Sequence, residues 1–191
     1  AFRQLTLAVN VSALQFTHPE FVDQVLGLLR EKRVPPERLE LELTESAIMK
    51  DAETNIAKLR QLKDVGLELA VDDFGTGFSS LKQLYRMPFN EIKVDSSFVR
   101  EMERDPEART IVETVVYLAH KLGMTACAEG VENENTLEIL AELRCELPVD
   151  DHVVLEPPVP LVGPQVDAVV QAAVADPSVA RQAGAPARGV A

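Results

Sequence analysis

Short apolar runs that turn polar at their C-terminal ends recur along this chain. Between them lie stretches whose apolar residues return every three or four positions. Residues 5–11, 39–43, 67–71, 91–94 and 124–128 predict strands, with a weaker sixth at 152–155. Phe21, Val22, Val25, Leu26, Leu28 and Leu29 keep helical spacing, as do Ile56, Leu59 and Leu62. Ile111, Val112, Val115, Val116, Leu118 and Ala119 form a longer apolar face, and Leu137, Ile139, Leu140 and Leu143 another. Gly66 and Gly123 stand where two of these helices should stop. Strand–helix–strand alternation at this spacing predicts an α/β fold with a parallel sheet and right-handed crossovers. Residues 175–191, rich in Ala, Pro and Gly, are expected to form a flexible tail.

The polar strand ends carry the chemistry. The first run ends at Asn10, the second at Glu42 and Glu45, and the third at Asp72 and Asp73. The fourth carries Lys93 and Asp95, and the fifth leads to Glu129 and Glu132. In a closed β/α barrel such ends converge on one mouth, where catalysis resides. In Leu39-Glu40-Leu41-Glu42-Leu43 the leucines take one face and the glutamates the other. Leucines facing outer helices send Glu40 and Glu42 inward, and the same period sets Lys93 against Ile92 and Val94 and aligns Glu129 with Cys127. An inward acid must be protonated, paired with a cation or bound to metal. Asn10, Glu42, Asp72, Asp73 and Glu129 offer hard oxygen donors suited to Mg²⁺ or Mn²⁺. Adjacent Asp72 and Asp73 suit a pair of ions bridged by one carboxylate.

Each feature has a plainer reading. Asp72 and Asp73 ahead of Phe74-Gly75-Thr76-Gly77 could open a turn and cap a helix. Glu42 to Glu45 could be a solvated strand end, and Lys93 a gatekeeper on an edge strand. Coincidence at five strand ends favours one shared site.

Composition narrows the partners. Among 191 residues, 46% are hydrophobic, which excludes a disordered chain, and two cysteines are too few for a disulfide scaffold. Lys+Arg at 19 against Asp+Glu at 31 gives a formal net charge of −12, which disfavours polymeric nucleic acid as a ligand. A phosphate ligand would then need metal ions or a local basic group. No apolar run approaches the ~20 residues of a membrane span, and the first residues lack a signal-peptide layout. A cytoplasmic location without direct membrane insertion is therefore expected. Cys127 and Cys145 match no zinc spacing and are expected as buried free thiols. The scattered His18, His120 and His152 offer no histidine-rich metal site.

The segments NVSALQF, ELTES, DDFGTGFSSL, IKVDSSFV and AEGVE, in this order, resemble the EAL-domain family of cyclic di-GMP phosphodiesterases. The likeness runs over about residues 5–160. It implies a TIM-like (β/α) barrel that opens cyclic di-GMP to linear pGpG with Mg²⁺ or Mn²⁺. By this resemblance Asn10, Glu42 and Asp72 bind one ion, while Asp72, Asp73 and Glu129 bind a second. Lys93 matches the family lysine that orients the attacking water, and Glu132 a carboxylate supporting that catalysis. Asp95 matches an acid near substrate and lysine. Glu45, with Phe74, Gly75, Thr76 and Gly77, matches the segment that orders the metal site and couples dimers.

Departures from the family pattern are as informative. The Glu-Ala-Leu motif should lie some tens of residues before Asn10, whereas nine residues precede Asn10 here. Six of eight barrel strands are thus expected, in a partial domain over 1–174 lacking the first two. The family has Gln-Gly-Tyr after a Gly-Cys-Asp-like turn, but here Arg144-Cys145-Glu146 is followed by Leu147-Pro148-Val149-Asp150-Asp151-His152 with no matching glutamine, while Pro158-Val159-Pro160 keeps the closing pattern. Leu14 and Ser96 replace residues that are commonly arginine. An unclosed barrel leaves strand edges that invite a homodimer. The expectation is a phosphodiesterase of impaired activity within a longer protein that carries sensory or GGDEF domains. The alternative is a non-catalytic module that binds cyclic di-GMP or a protein partner.

Overall fold

The computed structural model describes residues 6–49, 51–76 and 81–147, and the backbone of 152–155. Among these residues six strands are found: β1 Thr6–Val11, β2 Leu39–Thr44, β3 Glu68–Phe74, β4 Glu91–Val94, β5 Thr125–Ala128 and β6 His152–Leu155. All neighbouring pairs are parallel, in the order β5-β4-β3-β2-β1-β6. Beyond β5, Glu146 bridges to Cys127, whereas His152 pairs with Thr6 at the far end of the strand order. Six residue steps separate Glu146 from His152, a reach of at most ~20 Å. The two edges therefore lie close together, and the sheet curls into an incomplete (β/α) barrel.

Helices cover the outside. The long ones are α2 Phe21–Lys32, α4 Ala52–Asp64, α7 Pro106–Leu122 and α8 Glu134–Glu142, at the four stretches of helical periodicity. Between them lie the short α1 Ala13–Thr17, α3 Glu45–Met49, α5 Leu81–Leu84 and α6 Ser96–Glu101. Helix α7 shows why such segments fold: Asp105 accepts from the Glu107 amide, Pro106 opens the first turn, and Gly123 ends it at φ +76°. The outward strand residues Leu41, Leu43, Leu69, Val71, Ile92 and Val94 join Val25, Leu29, Leu59, Val112 and Val116 in one buried core.

The opposite alternation faces inward, as the parallel register shows. Ala8 and Asn10 lie level with Glu40 and Glu42, which lie level with Glu68 and Ala70. Glu91 and Lys93 lie level with Thr125 and Cys127. One irregularity interrupts this order. Val71 pairs with Ile92 and Phe74 with Val94, so β3 spends an extra residue where Asp72 and Asp73 sit. Both aspartates thus fall inside the strand, which corrects the expected strand end at residue 71 and removes the turn-opening reading. Strand β4 lies between β3 and β5, which removes the edge-strand reading of Lys93. Residue 5, Gly77, the Pro158-Val159-Pro160 pattern and the expected tail lie outside the described residues.

Candidate active site at the strand ends

Lys93 occupies the centre of the site. Its side chain projects from β4 into the barrel, where the residue is 4% exposed. Nζ donates to Oε1 of Glu42 from β2 in a short contact, and at 3.1 Å to Oε1 of Glu129 beyond β5. Glu42 is 2% exposed and Glu129 half-buried. Burial disfavours the ammonium, yet the charges and hydrogen bonds of Glu42 and Glu129 outweigh it and push the lysine pKa up. Glu42 feels the opposing pair of effects: burial raises its pKa, and Lys93 pulls it back. The cluster is a charge-assisted bridge tying three strand ends together.

The carboxylates on β3 lie beside it. Asp72 is level with Thr44, on the inward face of its neighbour Glu42. Burial raises its pKa and the charge of Glu129 adds to this, against the amide of Asp73, which donates to Asp72 Oδ1 at 2.9 Å. Asp73 has φ +51°, a left-handed conformation that a side chain seldom adopts. Its carboxyl is pushed up to about 6 by desolvation first, then by Asp72 and Asp95. Asp95 is itself desolvated, but bonds from the Ser97 hydroxyl and amide outweigh that and hold it low. Asp95 also caps α6, accepting from the Ser97 amide at 2.8 Å.

The loop after β3 is anchored from below. Glu45, buried at the start of α3, accepts from the Gly75 amide at 3.2 Å. Thr76 Oγ1 donates to the Asp73 carbonyl at 2.9 Å. Gly75 has φ +107°, and a Cβ there would stand 3.2 Å from the Phe98 ring, so glycine is required twice over. Phe74 is buried in the core.

The structure thus brings Glu42, Lys93 and Glu129 into contact and sets Asp72, Asp73 and Asp95 around them. Asn10 is half-buried and level with Glu42 on β1. Glu132 stands apart: it is exposed and pairs with Arg100 at 3.1 Å instead of joining the cluster. Among the described residues, no three acidic, histidine or cysteine side chains form a ready metal cage. Two inward acids went unremarked or unassigned in the sequence. Glu40 is 5% exposed, with Oε1 lacking a hydrogen-bond partner among the described residues. Glu91 accepts from Thr125 Oγ1 at 3.3 Å. Its period-two spacing from Lys93 was the available signal. Both thiols are free and buried, as expected. Among the described residues, no helix is long and apolar enough to cross a membrane.

Comparison with known proteins gives this arrangement a context. Residues 1–148 match the EAL domain. The bifunctional diguanylate cyclase/cyclic di-GMP phosphodiesterase MucR of Pseudomonas aeruginosa is 43% identical over 139 residues, covering 73% of this chain and 20% of the relative. The solved PaMucR phosphodiesterase in complex with c-di-GMP superposes with a TM-score of 0.72 at 43% identity, over 74% of this chain and 58% of that one. Klebsiella pneumoniae BlrP1, in a manganese/cy-diGMP complex, gives a TM-score of 0.67 at 30% identity over 75% of this chain and 37% of that one. The chain spans about a fifth of the length of the curated relatives it matches.

Proposed function

The chain belongs to the EAL domain family, and from that premise we propose that it is a cyclic di-GMP phosphodiesterase domain that opens the ring to linear pGpG. The observation that carries the proposal is the buried Lys93, held by Glu42 and Glu129 at the mouth of a parallel barrel. A scaffold alone has no need of a desolvated ammonium at the strand ends, since an apolar side chain of similar size would fill the space at lower cost.

Asn10, Glu42, Asp72, Asp73 and Glu129 fit a divalent cation by chemistry. All are hard oxygen donors, and burial first, with neighbouring acids adding to it, raises Asp72 and Asp73 in a way that a bound cation would relieve. We assign Mg²⁺ or Mn²⁺ to these residues; when bound, such ions supply Lewis acidity and lower the pKa of water. The remaining work falls to the chain itself. Lys93 brings positive charge to the place where negative charge develops on a phosphodiester under attack, and it stays protonated throughout the neutral range. Glu42 and Glu129 fix the position of Nζ from two sides. Glu45 holds the loop that follows the aspartates through the Gly75 amide. Glu132, Gly77 and Asp95 are assigned supporting roles on the family resemblance. The much greater length of the relatives supports a further proposal, that this segment acts inside a multidomain signalling protein, where a homodimer would pair two such sites.

The test is direct. Purified chain is incubated with cyclic di-GMP and Mn²⁺ while pGpG is followed by chromatography, with calorimetric titration of the nucleotide in parallel. Product that vanishes in Asp72→Ala supports the assignment. Tight binding without product replaces it with a sensing role, and absence of both overturns it.

A further inference from the structure

The turn that leaves β5 belongs to neither helix nor strand over residues 129–132, so side-chain contacts must set its path. Gly130 within it has φ +73°. A Cβ built there would lie 2.9 Å from Ser96 Cβ, 3.3 Å from Arg100 Nε and 3.4 Å from Arg100 Nη2. The α6 surface therefore packs directly on the glycine backbone, and any side chain would force it away. Arg100 Nε also pairs with Glu132 Oε1 at 3.1 Å. A single guanidinium thus covers Gly130 and holds the residue two positions on. Helix α6 starts directly after β4, with Asp95 as its cap, so Arg100 is fixed relative to the strand that carries Lys93.

We propose that Arg100 is a positioning residue for the β5 rim: seated in the space left by Gly130 and paired with Glu132, it fixes the turn that presents Glu129 to Lys93. The broad planar fork of arginine suits this double task, since it can bond a carboxylate while lying close to the glycine. The consequence for turnover rests on the phosphodiesterase reading above; the consequence for the turn does not.

The test uses amide ¹⁵N relaxation on the whole chain. Order parameters at Gly130, Val131 and Glu132 are expected near ~0.85, falling toward ~0.6 in Arg100→Gln with an unchanged melting temperature. The charge swap R100E/E132R is expected to restore them, because it re-forms the pair with reversed polarity. Rigid amides in Arg100→Gln, or a swap that fails to restore them, would overturn the proposal. So would a drop in melting temperature large enough to account for the loosening. In hydrolysis assays Arg100→Gln is expected to lower kcat about fivefold with KM held, as suits an exposed pair. Arg100→Lys is expected to recover part of that loss. A wild-type chain that neither binds nor cleaves cyclic di-GMP would end the phosphodiesterase reading, and the relaxation data would still decide the role of Arg100.

Discussion

Two layers of the barrel interior meet the same difficulty in different ways. In the upper layer, Glu42 and Glu129 lie on either side of Lys93, and burial is offset by opposite charge. Below it, Glu40 lies level with Glu68 and Glu91 level with Ala70, and neither acid makes an ion pair among the described residues. Glu40 is pushed up to about 7, first by burial and then by the charge of Glu91, and burial raises Glu91 as well. Glu68, at the foot of β3, finds Lys63 at 3.1 Å. At the mouth a buried acid thus has a lysine in direct contact, whereas Glu40 and Glu91 feel that lysine only through its field.

Lys93→Met attacks the comparison where the effect should be largest. It removes the only cation of the upper layer among the described residues and leaves Glu42 buried and alone. Hydrolysis is expected to fall at least ~100-fold. Denaturant unfolding should show a loss of about 3 kcal/mol, the cost of stranding one member of a buried pair. The double variant K93M/E42Q should regain a good part of that stability and none of the activity. If stability did not recover, the upper layer would not be a charge-paired one.

Glu40→Gln probes the lower layer with the opposite sign. A carboxyl whose folded pKa is raised stabilises fully below its unfolded pKa of 4.5, and that contribution is lost as pH climbs through about 7. The variant should match the parent near pH 4 and exceed it by about 2 kcal/mol at pH 8, with hydrolysis unchanged. Equal stability at both pH values would show that Glu40 carries no raised pKa. The smallest effect belongs to Glu53→Gln. This variant breaks the exposed bidentate pair with Arg86 on the outer surface and should leave the unfolding midpoint where it was.

How much of this could be seen in the sequence follows from length and locality. Six strands and four long helices were legible because each repeats its period often enough to register. The helices α1, α3, α5 and α6 hold four to six residues and cannot, so they escaped notice. The inward course of Glu40, Glu42 and Lys93 followed from two-residue alternation alone. The exposed pairing of Glu132 with Arg100 did not, because it joins a short helix to a turn 32 positions on, through a glycine whose importance lies in what packs on it. That Asp72 and Asp73 belong to the strand was hidden for a related reason: the extra residue of β3 exists only relative to β4.

That extra residue has a consequence of its own. A ribbon in strict alternation sends only one of two adjacent side chains to a given side, so an Asp-Asp pair would ordinarily split between cavity and exterior. By suspending parity at this one place, β3 lets two neighbouring carboxylates share one opening. Deleting Asp73 would restore parity and leave β3 contributing a single acid to the mouth, while every hydrophobic residue before it kept its place in the wall.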